Sequence, residues 1–112
     1  MGSALEDLRR FPEDVRAEMG YAIFLAQRGE KHRNAKPLRR FGGAGVLEVV
    51  SDKRGSTFRA IYTVRFQDAV HVLHAFQKKA TRGIRTQQRD IDVVRQRLKR
   101  ARKEHSGRHK EN

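Results

Sequence analysis

The chain contains 112 residues, of which 37% are hydrophobic, so it can form one compact core but not two. Lys and Arg number 26 against 13 Asp and Glu, which gives a formal net charge of +13 and makes polyanions the expected partners. The sequence has no Cys, which excludes disulfides, a thiolate nucleophile and a Cys-based zinc site. No apolar run approaches the roughly 20 residues that span a bilayer, so we expect a cytoplasmic protein without a membrane partner.

Two helical segments are predicted at the start of the chain. Ser3 and Glu6 have the spacing of a capping box, which indicates that a first helix begins there. Pro12 suits the first position of a second helix, and Gly29 suits its end. Between them, apolar residues recur at helical spacing, namely Val15, Met19, Ala22, Ile23 and Ala26.

The apolar period then changes to that of β-strands. Strands are predicted at residues 46–51, 57–66 and 69–76, with Gly55 in the turn of the first hairpin. Because neighbours along the chain usually pair, we expect an antiparallel meander of three adjacent strands.

Alternation along the second predicted strand separates two faces. One face carries Phe58, Ala60, Tyr62, Val64 and Phe66 and is expected to pack in the core, where Tyr62 would be a core residue rather than a proton donor. The other face carries Arg59, Ile61, Thr63 and Arg65 and is expected to be basic.

A last helix is predicted after Thr86, a plausible N-cap. Its apolar stripe consists of Ile91, Val94, Leu98 and Ala101. Helices on one face of a small antiparallel sheet make an α+β fold, with two N-terminal helices, a C-terminal helix and the other face of the sheet open to a ligand.

Positive charge increases toward the C-terminus. Residues 1–35 hold six basic and six acidic residues, whereas residues 77–112 hold thirteen and four. Residues 103–112 contain no apolar residue that could offset the entropy of ordering them. We therefore predict a single domain over residues 1–102, followed by a disordered basic tail.

Two apparent ligand motifs are set aside on geometry. His71 and His74 are three residues apart on a predicted strand, which would place them on opposite faces, so we expect no metal site there. Gly42, Gly43 and Gly45 are not followed by the GK[ST] of a phosphate loop and are interpreted as a flexible connection.

The residue types present favour a chemistry without a metal or carboxylate pair. The acidic residues near the predicted sheet are scattered over a strand and two turns, at Glu48, Asp52 and Asp68. An enzyme built from this chain would therefore draw on Arg, Lys, His and Tyr. Such groups suit cleavage of RNA by its own 2′-hydroxyl, which needs a proton acceptor, a proton donor and charge to stabilise the phosphorane. Arg59 could hold the phosphate, with Lys78 and Lys79 reaching the same surface.

Four sequence segments together resemble a known family. They are KPL at 36–38, FRAIY at 58–62, DAVHVLHAFQKK at 68–79 and DIDVVRQRL at 90–98. In this combination the chain resembles the HigB-like branch of the RelE/ParE superfamily, the toxins of type II toxin-antitoxin modules. The N-terminal segment also matches, so the resemblance covers nearly the whole chain up to the tail.

The resemblance implies a compact α+β toxin that enters the ribosomal A site and cuts translated mRNA without a cofactor. It also implies a cognate antitoxin, commonly a helix-turn-helix DNA-binding protein. The toxin would contact DNA only through this antitoxin. Arg59 matches the phosphate-contacting arginine of the family, and Lys78 and Lys79 match its basic active-site positions. His74 is a weaker catalytic candidate, because a buried His bonded within the core explains it equally well.

Further basic residues are candidate RNA contacts, with nonspecific phosphate affinity as the alternative. They are Lys36, Arg39, Arg40, Arg65, Arg82 and Arg85. Two other functions remain open from the sequence, a ParE-like inhibitor of DNA gyrase and a noncatalytic RNA-binding module. The aromatic share of 7% disfavours the second, since such modules usually stack bases on aromatic rings.

Overall fold

The computed structural model describes residues 3–38, 41, 45–53, 55–64, 70–78 and 87–111, with side chains up to residue 104. Within these residues, three helices and four strands occur in the order α1 (Ala4–Arg9), α2 (Glu13–Gln27), β1 (Ala35–Pro37), β2 (Val46–Lys53), β3 (Ser56–Thr63), β4 (His71–Lys78) and α3 (Gln88–Glu111). The strands form one antiparallel sheet in the order β1-β2-β3-β4. This architecture confirms the predicted α+β class.

The two N-terminal helices lie where the sequence predicts them, although the first is capped differently. The Ser3 side chain accepts no capping hydrogen bond from the helix backbone, and its Oγ instead donates to Asp7 Oδ2 at 2.9 Å, so the capping-box prediction is wrong. Pro12 immediately precedes α2 rather than opening it. Gly29 follows α2 with a φ of +79°, the left-handed conformation that glycine adopts most readily at a helix end.

The sheet contains one strand that the sequence analysis missed. β1 pairs its residues Ala35, Lys36 and Pro37 with β2 and forms an edge of the sheet. Three residues are too few to show an alternating pattern, and proline is tolerated in a strand mainly at an edge. The predicted meander of three strands is therefore preceded by a short edge strand.

Helices pack on both faces of the sheet, which corrects the prediction that helices lie on one face only. On the first face, Phe58, Ala60 and Tyr62 pack with α1 and α2. On the opposite face, which we call the α3 face, the predicted apolar stripe of α3 packs on the sheet against Val46, Ile61 and Leu73. The physical reason is that these three residues make a second apolar surface, and burying it against the stripe is favourable.

A β-bulge in β4 decides which residues reach the α3 face. Ile61 is paired with His74, whereas Tyr62 is paired with Val72, so Leu73 is the additional residue of β4. His71 is paired with Thr63, which lies on the same face as Ile61. The bulge therefore brings His71 and His74 to one face, and the prediction that they lie on opposite faces is wrong.

The C-terminal helix is longer than its apolar stripe. α3 extends to Glu111, so the backbone of the predicted tail is helical over residues 103–111. Ala101 is the last buried residue of α3 with a described side chain, and Arg102, Lys103 and Glu104 are exposed. Exposed residues contribute no packing to hold a helix. The boundary between a domain at residues 1–102 and a tail at residues 103–112 stays a prediction. Among the described residues, no helix combines the length and apolar character needed to cross a bilayer.

Candidate functional site

A cleft opens on the α3 face of the sheet at the β1 side. It has a volume of about 360 Å³, and we call it the Arg59 cleft. Alternate residues of a strand point to the same face, so β2 and β3 each contribute every second side chain. The lining residues are Asn34, Lys36, Glu48, Val50, Asp52, Thr57 and Arg59.

Arg59 is held in the cleft by a nearly buried ion pair. Its Nη1 donates to Glu48 Oε2 at 3.0 Å, and the two side chains are 10% and 14% exposed. Val50 is the direct partner of Arg59 across the β2–β3 pair, which makes Glu48 its diagonal neighbour on the same face. Arg59 is therefore not the projecting cation that the sequence predicts. Removing one member of such a pair leaves the other charge poorly compensated, which is costly.

The described lining of the cleft carries balanced charge. Lys36 on β1 lies opposite Glu48, and Asp52 accepts a hydrogen bond from Thr57 Oγ1 at 2.7 Å. The positive charges of Lys36 and Arg59 are thus balanced by the carboxylates of Glu48 and Asp52, which both lie on β2. Within the part of the cleft that the structure describes, the prediction of a basic face is wrong, as is the prediction that Glu48 and Asp52 are scattered.

A second polar cluster joins β4 to the start of α3. Asp90 Oδ1 lies 2.9 Å from His74 Nε2, and its Oδ2 lies 3.4 Å from Lys78 Nζ. Lys78 Nζ also donates to Gln87 Oε1 at 3.0 Å, and the His74 ring stacks on Phe76 at 4.7 Å. An acidic residue in the first turn of a helix interacts favourably with the helix dipole, so Asp90 both suits its place in α3 and holds β4.

The structure brings some of the predicted site residues together and separates others. Lys36 and Arg59 line the cleft, whereas His74 and Lys78 do not. Lys78 is paired with Thr57 and Phe76 with Arg59, so Lys78 is the diagonal neighbour of Arg59, with about 7–8 Å between Cα atoms in a regular pair. The remaining predicted site residues lie outside the described part of the chain, namely Arg39, Arg40, Arg65, Lys79, Arg82 and Arg85.

Tyr62 lies on the other side of the sheet from the cleft. It is fully buried, which confirms its predicted place in the core. Its hydroxyl makes no hydrogen bond within the described residues, and burial raises the pKa of this hydroxyl from 10.0 to about 12. Tyr62 is therefore not available to a ligand in the cleft.

No metal cluster is found in the part of the chain that the structure describes. No three or more His, Cys, Asp or Glu side chains lie there close enough together to share an ion. The His71 and His74 pair thus has no third protein ligand among those residues, even though the bulge places both on one face.

Most of the chain matches the sequence profile of one protein family. The profile of the phage-derived Gp49-like family (DUF891) matches residues 6–99, which include the described cleft and the Asp90 cluster. The chain belongs to the Gp49-like family. This is a RelE/ParE-like toxin family of toxin-antitoxin systems, so the resemblance seen in FRAIY and LHAFQKK is confirmed at that level. A Gp49-like toxin implies an antitoxin partner. Neither a curated protein nor a solved structure matches the chain significantly.

Sequence reasoning missed the acidic partners of the basic residues. Glu48, Val50 and Asp52 share one parity along β2, so the two carboxylates could have been placed on one face together. The predicted strand ends at residue 51 and leaves Asp52 in the following turn, so the prediction does not place the two carboxylates on one face. Asp90 carried no comparable signal, since its contacts depend on how α3 packs on the sheet.

Proposed function

We propose that this Gp49-like protein is the HigB-like toxin of a type II toxin-antitoxin module, a ribosome-dependent mRNA interferase that cuts RNA in the Arg59 cleft. The observation that carries the proposal is the position of Arg59 in a toxin-family chain. A central strand and an ion pair fix its guanidinium at an open cleft on the sheet. A positioned arginine is the side chain best suited to a phosphodiester, because its planar fork matches two phosphate oxygens.

The cleavage itself would use the substrate's own nucleophile. The 2′-oxygen attacks the adjacent phosphorus, and the site must stabilise the additional negative charge of the phosphorane. Arg59 carries five N–H donors, so a phosphate can share the guanidinium with Glu48 or displace the carboxylate. Lys36 supplies a second cation in the cleft. Lys78 lies on the same face of the sheet, beside the cleft, as the diagonal neighbour of Arg59 across the β3–β4 pair.

Other cations are proposed to hold the RNA around this centre. We assign RNA contacts to Arg39, Arg40, Arg65, Arg82 and Arg85, and a place in the active site to Lys79. His74 is proposed to act mainly through Asp90 and Lys78, by fixing the end of β4 beside the cleft. The partners are the ribosome, mRNA and a helix-turn-helix antitoxin, and the proposed location is the cytoplasm.

The test is transcript integrity in a translating extract supplied with the purified protein. We expect discrete cuts in translated mRNA by primer extension, and a loss of cutting of about 100-fold or more in the Arg59→Ala variant. Lys36→Ala should reduce cutting, whereas Lys53→Ala removes an exposed lysine from the other face of β2 and should leave it unchanged. Transcripts that stay intact while the protein binds ribosomes would refute the proposal, and DNA gyrase inhibition in the same preparation would favour the ParE-like alternative.

A further inference from the structure

The proposed reaction needs a proton acceptor that the predicted set of cations does not supply. A general base must take the proton of the 2′-hydroxyl as the 2′-oxygen attacks phosphorus. Lys and Arg side chains are protonated near neutral pH and cannot serve directly. Among the described residues that line the Arg59 cleft, the remaining candidates with an ionisable acceptor are Glu48 and Asp52.

The two carboxylates differ in their position relative to Arg59. Glu48 Oε2 lies 3.0 Å from Arg59 Nη1, so a phosphate that binds the guanidinium necessarily arrives beside this carboxylate. Asp52 is exposed and accepts a hydrogen bond from the Thr57 hydroxyl at 2.7 Å, and it lies four residues along β2 from Glu48, the partner of Lys36. A base must lie within hydrogen-bond reach of the hydroxyl next to the scissile phosphate, and Glu48 meets that condition better.

We propose that Glu48 is the general base of the cleavage reaction, an inference that rests on the proposed function. The Glu48 carboxylate takes the 2′-hydroxyl proton while the 2′-oxygen forms a bond to phosphorus. The bond from phosphorus to the 5′-oxygen breaks, and the departing 5′-oxygen takes a proton from water. The products are a 2′,3′-cyclic phosphate and a 5′-hydroxyl, and the protonated Glu48 returns its proton to solvent.

The surroundings of Glu48 allow an isosteric test of this role. Among the described residues, the charged groups that face it are Lys36 on β1, Arg59 on β3 and Asp52 on its own strand. Glu48→Gln leaves all three in place and keeps a side-chain oxygen that can accept from Arg59, while it removes the basic carboxylate. The substitution therefore separates proton transfer from the structural role of the ion pair.

The experiment measures single-turnover cleavage of mRNA on programmed ribosomes by the full-length protein over a range of pH. We expect Glu48→Gln to lower the rate about 100-fold or more. Its ribosome affinity should stay close to that of the wild type, its Tm should fall because Arg59 loses its charged partner, and the fall of the wild-type rate at low pH should disappear. Glu48→Asp keeps a carboxylate and should recover part of the rate. Asp52→Asn makes the same charge change in the same cleft but keeps the Glu48 carboxylate, so it should lower the rate much less than Glu48→Gln and should retain the fall of the rate at low pH.

Two results would overturn the assignment. A Glu48→Gln variant that cuts at the wild-type rate, or whose loss follows only its ribosome affinity, makes Glu48 a counterion of Arg59 and nothing more. Equal losses in Glu48→Gln and Asp52→Asn would likewise reduce the effect to the total charge of the cleft. A wild-type protein that binds ribosomes without cutting refutes the proposed function as well, so the two failures are distinguishable.

Discussion

Arg59 and Tyr62 lie on the same strand and face opposite sides of the sheet. Alternation along β3 predicts this separation, and it correctly assigns Tyr62 to the core with Phe58 and Ala60. It does not predict that Arg59 is nearly buried or that Glu48 neutralises it, because those facts depend on which residues of β2 lie beside β3. Residue type alone therefore indicates Arg59 as a candidate phosphate contact but does not indicate Glu48 as its ion-pair partner.

The buried hydroxyl of Tyr62 gives a prediction about stability and pH. Below pH 10 the hydroxyl is neutral in both states, and above pH 10 the unfolded chain loses the proton first, since the folded pKa is about 12. The contribution of Tyr62 is thus fully present below pH 10 and is lost as pH rises to about 12. Tyr62→Phe should abolish this loss, of about 2–3 kcal/mol, and should stabilise the protein slightly at neutral pH by removing a buried hydroxyl without a described partner.

The measurement is the difference in unfolding free energy between the wild type and Tyr62→Phe from pH 8 to pH 12. Tyr21→Phe is the matched control, because Tyr21 is 55% exposed. A difference for Tyr62→Phe that stays constant over the alkaline range would contradict the burial of the Tyr62 hydroxyl.

At the scale of elements, the sequence predicts which segments form and not how they are layered. The apolar stripes of α2 and α3 and the alternation of β2 and β3 are local patterns, so they can be recognised in the chain. The face on which α3 packs depends on tertiary contacts, because the apolar residues Val46, Ile61 and Leu73 form the surface that the helix covers. Leu73 reaches that face only through the bulge in β4, and a bulge cannot be recognised without the partner strand.

The packing of α3 is testable through its stripe. Leu98→Ala should lower the free energy of unfolding by about 2–4 kcal/mol, because Leu98 is nearly completely buried against the α3 face. Arg100→Ala changes an exposed residue of the same helix and should alter stability by no more than about 0.5 kcal/mol. Urea denaturation of both variants checks the difference, and equal effects would contradict the packing of α3 on the sheet.

At the scale of the whole molecule, positive charge is concentrated where the C-terminal helix lies. The described cleft is formally balanced, whereas residues 88–111, which form α3, hold nine basic and four acidic residues. In the proposed function, the cleft therefore contacts the scissile phosphate and the basic helix α3 attracts the polyanion. Steering of this kind is nonspecific and is screened by salt.

This division predicts different salt responses for two sets of variants. Replacing three exposed residues of α3 by Gln should weaken RNA binding and reduce the slope of log affinity against log salt by about 2, since each lost phosphate contact changes it by about 0.7. The residues are Lys99, Arg102 and Lys103. The charge-matched control replaces Arg9, Arg10 and Arg33 in the N-terminal part of the chain and should leave the slope nearly unchanged. Equal slopes in both triple variants would show that α3 has no special role.

The most direct test of the central claim, that the Arg59 cleft cuts RNA through the RNA's own hydroxyl, uses two mRNAs on programmed ribosomes. One carries ribose throughout, and the other carries a single 2′-deoxyribose at the mapped cut position. We expect that the wild-type protein cuts only the first mRNA and leaves a 2′,3′-cyclic phosphate and a 5′-hydroxyl, and that the Arg59→Ala variant loses this activity. Cutting of the deoxyribose mRNA at the same position, or product ends that carry a 3′-hydroxyl, would contradict it.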